Sequence, residues 1–265
     1  MILFKNHIPV TIAKFVKSIW YMELTTDDPV YEEEIIPDGH HELIFYLTSS
    51  CSQRQVGANM WKEEPYALLA GQTRECYRLK MFSGAKLYGI RFFPHTLYHL
   101  LNLPLHSLNS AVLPLDELMP GHGFWNHITD NPEQTFQNIE KYLAGLLTPG
   151  SNPYIEYSLP QILNSNGTVA VGDLVKKSGI TTKHYDDLFK KYVGITPKYL
   201  CAILKFNFFI SYKRCYPEKT LTECAYEVGY YDQSHLIKAF YQFAQTSPGK
   251  YFDSNPIIGQ QFAGL

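Results

Sequence analysis

The segment from residue 168 to residue 252 contains one short pattern twice, and this repeat limits the possible folds more than any other feature. Gly179 and Gly229 lie 50 residues apart, and Pro197 and Pro248 lie 51 residues apart, so one residue is inserted after the second glycine. Solenoid arrays need about three or more units to bury a core. Two copies therefore predict a duplicated module.

Each copy has the pattern of a helix, a tight turn and a second helix. A small or β-branched residue, Val175 or Ala225, precedes the glycine by four positions, which allows the helices to approach closely and the first helix to end. The second helix buries apolar residues at helical spacing and leaves a polar face, which suits base edges and phosphates in a major groove. The residues of these polar faces are Thr182, Lys183, His184, Asp186, Asp187 and Lys190 in the first copy, and Gln233, Ser234, His235 and Lys238 in the second.

The repeat resembles the C-terminal domain of the AraC/XylS family of transcriptional regulators over residues 166–254. In each half, that family runs from an Ala-x-x-x-Gly turn to a recognition helix that ends near a Phe, and the strongest match is segment 225–236. A solvated amphipathic helix explains one copy alone, but not the repetition. The resemblance implies sequence-specific binding to double-stranded DNA, with an N-terminal β-rich domain that senses a ligand or pairs subunits.

Three positions depart from the family pattern. The family usually has arginine where Asp187 stands, glycine where Gln245 stands, and a small residue near Phe209. Carboxylates at Asp186 and Asp187 repel phosphates, although a carboxylate can accept a hydrogen bond from cytosine N4. We therefore predict that the first recognition helix is the weaker reader.

The charge of the chain is divided unevenly along the sequence. Residues 1–165 hold 11 Lys and Arg against 17 Asp and Glu, whereas residues 166–265 hold 12 against 8. The basic part coincides with the repeat, which favours nucleic acid as its partner.

The first ninety residues predict β structure. Short aromatic or β-branched runs at 15–24, 32–36, 42–47, 66–70, 76–82 and 85–93 are separated by turn signals at 27–29, 37–39, 57–59 and 83–84. This spacing is typical of an antiparallel barrel or sandwich, such as a cupin-like jelly roll. The predicted fold class is α+β with two domains, a β barrel with appended helices followed by an all-α double helix-turn-helix.

The interior of the predicted barrel is the candidate ligand site. We predict that it holds a small organic effector that is partly apolar and can be acidic, since aromatic walls with one cation favour such a ligand. The alternative is that the aromatic side chains simply fill a closed core. The candidate lining residues are Tyr21, Tyr46, Tyr88 and Arg91.

Helices are predicted at 94–101, 133–147 and 154–163. The second carries an apolar stripe of Phe136, Ile139, Leu143 and Leu146, which indicates either docking on the barrel or a homodimer seam through 133–147. A Pro- and Gly-rich stretch then predicts a linker. The predicted domains are 1–148 and 154–265, joined by the linker 149–153.

The sequence offers little support for catalysis. His40 and His41 are adjacent, so a regular strand points them to opposite faces. His95 and His99 have the spacing of helical metal ligands, but Thr96 stands where a zinc peptidase has glutamate. No nucleophile elbow, phosphate-binding loop or dinucleotide fingerprint is present. We expect no enzymatic activity, cofactor or metal.

The sequence leaves two alternatives to a transcription regulator. The alternatives are a cupin-type metal-binding enzyme and a DNA-repair protein with an AraC-like module, although the Pro-Cys-His-Arg motif of such repair proteins is absent. No apolar run approaches the ~18 residues of a membrane span. The five cysteines are scattered, which is typical of reduced thiols. We expect a cytoplasmic protein without a membrane partner.

Overall fold

The computed structural model describes residues 2–48, 51–56, 60–147, 152–254, 256 and 258–259. The predicted turn at 57–59 and the predicted linker residues 149–151 lie outside these ranges. The strands are β1 Ile2–His7, β2 Val16–Leu24, β3 Val30–Ile35, β4 His41–Tyr46, β5 Ser52–Val56, β6 Met60–Glu63, β7 Ala67–Ala70, β8 Tyr77–Phe82, β9 Lys86–Phe92 and β10 Val112–Pro114. The helices are α1 Thr96–Leu101, α2 Leu115–Leu118, α3 Pro132–Leu146, α4 Pro153–Asn164, α5 Val171–Ser178, α6 Thr182–Tyr192, α7 Pro197–Cys215, α8 Leu221–Glu227, α9 Gln233–Phe243 and α10 Pro248–Ser254, with 3-10 turns at Leu105–Leu108 and Phe124–His127.

The strands form two antiparallel sheets. One has the order β1-β2-β9-β4-β7-β10 and the other β3-β8-β5-β6, and an apolar core lies between them. Trp20 is paired across the sheet with Gly89, and a Cβ at Gly89 would come within 2.1 Å of the indole. Glycine is therefore needed there to admit the ring. The α+β class and the antiparallel N-terminal domain are confirmed. The described strands form two separate sheets, a sandwich compatible with a cupin-like jelly roll, and do not join into the predicted barrel.

Six of the observed strands agree with the predicted runs to within two residues. The other strands described, β1, β5, β6 and β10, lie at or near sheet edges and do not coincide with any predicted run. The β5 and β6 segments are mostly polar, as Gln53, Arg54 and Gln55 illustrate, so they lack the alternation that marks a half-buried strand.

Helix α3 docks on the outer face of the six-stranded sheet. Phe136, Ile139 and Leu143 are buried there, in a core shared with Tyr88, and only Leu146 of the apolar stripe is exposed. The prediction of a homodimer seam through 133–147 is therefore wrong for this stripe, because the residues that would form the seam are buried within the chain itself.

Helices α4 to α10 enclose a separate apolar core. Helices α5 and α6 form the first helix-turn-helix, α8 and α9 form the second, and α7 joins them over Pro197–Cys215. Gly179 and Gly229 adopt positive φ angles in the two turns. Within the described residues, no single helix has the length and apolar composition to cross a membrane; α6 and α7 reach that threshold only as a pair, bent by 62° between them.

The β sandwich and the helical region contact each other through side chain to backbone hydrogen bonds. Asn109 Nδ2 donates to Gly194 O at 2.8 Å, and Asn207 Nδ2 on α7 donates to Pro37 O at 2.8 Å. Near the other end of the chain, Ile258 is buried in the core of the sandwich. The connection between the two regions is thus made by several separate segments.

Candidate DNA interface

The first candidate reader is α6. The helix begins after Thr181, whose Oγ1 accepts a hydrogen bond from His184 N at 3.3 Å, and Tyr185 and Phe189 anchor its inner face in the helical core. Of the six residues predicted to face DNA, Asp186 is half-buried and the others are exposed on the outer face, namely Thr182, Lys183, His184, Asp187 and Lys190.

The second candidate reader is α9, which is built in the same way. Asp232 Oδ1 accepts a hydrogen bond from His235 N at 2.7 Å and caps the helix, while Leu236, Phe240 and Phe243 are buried. All four residues predicted for this reader are exposed, namely Gln233, Ser234, His235 and Lys238.

The two polar faces differ in charge. On α6, Asp187 Oδ1 lies 3.8 Å from Lys190 Nζ, and the two lysines of the face are matched by two aspartates. On α9, Lys238 is the charged residue of the predicted face, and among the described residues it has no carboxylate within ion-pair distance. A lysine without a paired carboxylate is better placed to neutralise a phosphate.

The turn of the second copy is tied to α7 by a lysine that the sequence analysis missed. Lys205 Nζ donates a hydrogen bond to Gly229 O and lies 4.7 Å from the centroid of the Tyr230 ring. The preceding helix α8 starts with a capping box, in which Thr220 and Glu223 exchange hydrogen bonds. These contacts fix the position of the second reader relative to the linking helix.

An exposed tyrosine beside α9 also escaped the sequence analysis. Tyr231 is 85% exposed immediately before the capping residue of the helix, whereas its neighbour Tyr230 is buried. Tyr231 therefore adds an aromatic ring to the exposed surface beside the second candidate reader. The sequence does show two adjacent tyrosines after Gly229, but it does not show which of the two faces solvent.

The candidate ligand residues of the sandwich lie on two different faces of one sheet. Tyr46 and Arg91 face the space between the sheets, together with Trp20 and Met22. Tyr21 and Tyr88 point to the opposite face, where their rings lie 5.0 Å apart under α3. The prediction that all four line the interior is wrong for Tyr21 and Tyr88, because neighbouring positions along a strand alternate between faces.

The polar side chains of the interior are already paired with one another. Arg91 forms ion pairs with Asp38 and with Glu42, and Tyr46 Oη donates to Glu64 Oε2 at 2.5 Å. Burial and the Glu64 carboxylate raise the pKa of Tyr46 well above its ordinary value. A cavity of about 90 Å³ remains beside these groups.

The two adjacent histidines are held by hydrogen bonds. His40 Nδ1 lies 2.8 Å from Phe92 O, and its Nε2 lies 3.2 Å from Lys17 Nζ. His41 Nδ1 accepts from Gln72 N at 3.0 Å, and burial lowers its pKa to about 4. In the part of the chain that the structure describes, no three His, Cys, Asp or Glu side chains are grouped as metal ligands.

Comparison with known proteins gives two domain matches. Residues 9–114 match a family described as a domain of unknown function (DUF6597), and residues 174–254 match one described as a helix-turn-helix domain. Curated protein sequences give no significant match.

Several solved structures are similar to the chain at low identity. A 1.65 Å structure of ToxT from Vibrio cholerae is 12% identical, with 94% of this chain and 98% of that chain covered and a TM-score of 0.44. ToxT of strain SCE256 with an unsaturated fatty acid bound is 11% identical, with 84% and 93% covered and a TM-score of 0.44. The AraC-like transcriptional activator CuxR is 17% identical, with 71% and 80% covered and a TM-score of 0.28.

The helix-turn-helix match covers both turns, both candidate reader helices and the helix that joins them. Its bounds lie inside residues 166–254, where the sequence carries the family resemblance. Residues 174–254 therefore form an AraC-type helix-turn-helix domain, which supports a role as a DNA-binding transcription regulator.

Proposed function

We propose that the chain regulates transcription by placing α6 and α9 in two successive major-groove segments on one side of a DNA duplex. The observation that carries this proposal is the exposed polar face on each of the two helices, α6 and α9, whose helix-turn-helix motifs are joined by α7. A helix rises ~1.5 Å per residue, so the 19 residues of α7 span about 28 Å. This length is close to the ~34 Å of one DNA turn.

The α9 helix is the stronger reader in this proposal. Gln233 and Ser234 at its start are placed to contact base edges, and Lys238 one turn later is placed to contact a phosphate or a guanine. Tyr231 extends the exposed surface beside this helix. The first reader has Asp186 and Asp187 on its DNA face, and these carboxylates oppose the electrostatic part of binding.

A selection of bound sequences from random duplex DNA tests sequence-specific binding. The proposal expects a common motif to be enriched over successive rounds, and expects the purified chain to bind that motif more tightly than a scrambled duplex of the same composition. Equal affinity for selected and scrambled duplexes at every salt concentration contradicts sequence-specific recognition.

We further propose that a small, partly apolar molecule bound inside the sandwich controls the DNA-binding domain. The interior cavity is bordered by Trp20 and Met22 on the sheet and by Asn207 and Ile210 on the linking helix α7. A molecule there contacts the element that sets the distance between the readers. Since a cavity of ~150 Å³ holds benzene, a ligand of sugar size needs the neighbouring side chains to move apart.

A ligand screen with a cavity-filling variant tests the effector proposal. Met22 is buried at the cavity, so Met22→Trp fills it, and Met60→Trp on the exposed edge strand β6 is the matched control. An effector of the interior raises the melting temperature of the unaltered chain and of Met60→Trp, but not of Met22→Trp. Compounds that stabilise all three chains equally argue against this site.

A further inference from the structure

Tyr241 stands on α9 at the position where α6 has a lysine. The shift of 51 residues between the two copies places Phe189 opposite Phe240, and the same shift places Lys190 opposite Tyr241. Both phenylalanines are buried in the helical core, and both residues that follow them are exposed. The two candidate readers therefore present Lys190 and Tyr241 at equivalent places on their outer faces.

Tyr241 shares its face of α9 with two of the residues predicted to contact DNA. It follows Lys238 by three residues and Ser234 by seven, and these spacings place all three in one row along the helix. Helical side chains lean towards the N-terminus, so a ring at this position covers the turn that contains Lys238. Tyr241 is 57% exposed, and no hydrogen bond within the described part of the chain engages its hydroxyl. The hydroxyl is therefore available to a partner outside the chain.

The position of Tyr241 along the helix favours the DNA backbone over the base edges. In helix-turn-helix proteins, residues at the N-terminal end of the recognition helix contact the bases. Tyr241 lies seven residues beyond Ser234, which is about 10 Å along the helix axis at ~1.5 Å per residue. A tyrosine hydroxyl donates a hydrogen bond, and tyrosine is among the side chains that contact phosphate oxygens of DNA. Tyr241 is thus suited to a phosphate at the wall of the groove.

We propose that Tyr241 donates a hydrogen bond to a backbone phosphate and thereby fixes the position of α9 in the major groove. This inference rests on the proposed function and adds a phosphate-contacting residue to the second reader. The corresponding residue of the first reader, Lys190, is a cation, whereas Tyr241 is a neutral donor. A neutral donor releases no counterion from DNA, so its contact adds affinity without adding salt dependence.

Two substitutions of Tyr241 in the full chain test this contact on a duplex selected from random DNA. Tyr241→Phe removes only the hydroxyl, and we expect it to weaken binding roughly tenfold or more, because hydrogen bonds to charged groups are the stronger ones. The slope of log affinity against log salt should stay unchanged. Tyr241→Lys introduces the residue type of the first copy and should steepen that slope by about one. Tyr66 in the sandwich is 56% exposed, so Tyr66→Phe and Tyr66→Lys are the matched controls and should change neither quantity.

Fluorescence anisotropy at several salt concentrations measures affinity and slope, and urea unfolding is expected to give the same midpoint for all variants. If the unaltered chain prefers the selected duplex and Tyr241→Phe binds it equally well, the Tyr241 contact is refuted while the proposed function stands. The phosphate assignment is also overturned if Tyr241→Lys has the slope of Tyr66→Lys. If Tyr241→Phe lowers the unfolding midpoint as well as the affinity, the role of Tyr241 is structural. An unaltered chain without preference for the selected duplex overturns the proposed function, and this inference with it.

Discussion

At the scale of single residues, the two readers differ in how their charges are arranged. Lys238 on α9 is exposed, and Lys190 on α6 lies 3.8 Å from Asp187. An exposed ion pair contributes little to stability, so this pair matters mainly because it occupies a cation that could otherwise contact a phosphate. We therefore expect DNA binding to weaken when the lysine of α9 is removed and to strengthen when the aspartate of α6 is replaced by a cation.

Replacing Lys238 by alanine is expected to weaken DNA binding. The cost is about 1–3 kcal/mol if the lysine reads guanine, or a decrease of about one in the salt slope if it neutralises a phosphate. Lys141→Ala on the exposed face of α3 is the matched control, because it changes the net charge equally at a distance from the readers. Fluorescence anisotropy at several salt concentrations measures both quantities, and identical behaviour of the two variants would remove Lys238 from the interface.

Replacing Asp187 by arginine is expected to strengthen DNA binding and to steepen its salt dependence. The change removes a repulsion, adds a cation and releases Lys190 from its ion pair. Asp27→Arg in an exposed turn of the sandwich produces the same change in net charge and serves as the control. If Asp187 instead accepts a hydrogen bond from cytosine, specific binding weakens and one base pair of the motif loses its preference, which would refute the assignment of the weaker reader.

At the scale of secondary structure elements, the sequence predicted those helices and strands whose apolar residues recur at regular intervals. The apolar spacing along α3, α6 and α9 was enough to place these helices, because burial selects one face of a helix at regular intervals. The polar edge strands β5 and β6 have no such signal. The sequence also did not show which face of the sheet each side chain occupies. Tyr21 and Tyr88 were predicted on the wrong face, because the register depends on pairing between distant strands.

Helix α3 supplies a carboxylate that forms hydrogen bonds with residues 7–11. Glu140 accepts hydrogen bonds from Thr11 Oγ1 at 2.6 Å, from the backbone nitrogens of Val10 and Thr11, and lies 2.7 Å from His7 Nε2. Burial alone raises the pKa of this carboxyl, but the hydrogen bonds from Thr11, His7 and Val10 outweigh it and lower the pKa to about 2. The ionised form is therefore the one that the fold stabilises.

Acid is expected to remove this stabilisation in a defined range. The pKa of Glu140 is lower in the folded chain than its ordinary value of 4.5, so its contribution is present above pH 4.5 and is lost as the pH falls towards 2. Glu140→Gln should lower the free energy of unfolding at pH 7 and make it less dependent on pH below 4.5. Urea unfolding measures this effect, with exposed Glu117→Gln as the control; an equal pH dependence in all three chains contradicts the assignment.

At the scale of the whole molecule, the contacts between the sandwich and the helical domain were beyond sequence-based prediction. They join segments that are distant in the chain, such as Asn109 with Gly194, Asn207 with Pro37, and Glu33 with the backbone of Ile258. None of them leaves a periodic or compositional signal. These contacts reach the turn after α6 and the linking helix α7, so a change in the sandwich can affect both elements that position the first reader.

Gly194 lies at one of these contacts, and the stability of this contact can be tested by mutation. Its φ angle is +99°, and an added Cβ would lie 2.9 Å from Asn109 Oδ1. Gly194→Ala is therefore expected to destabilise the chain by about 1–3 kcal/mol. Gly172 lies in α5 with no atom within 4 Å of an added Cβ, so Gly172→Ala should stabilise by about 0.4–1 kcal/mol. Urea unfolding of both variants measures the two changes, and a neutral effect of Gly194→Ala would show that the turn adapts without cost.

The measurement that tests the two-reader account most directly is hydroxyl-radical footprinting on a duplex selected from random DNA. The account predicts two protected backbone segments on one side of the duplex, separated by about one helical turn of ~10 base pairs. It further predicts that Lys238→Ala weakens the protection of one segment more than that of the other. A single protected segment, or two segments separated by a distance that a 19-residue helix α7 cannot span, would contradict the account.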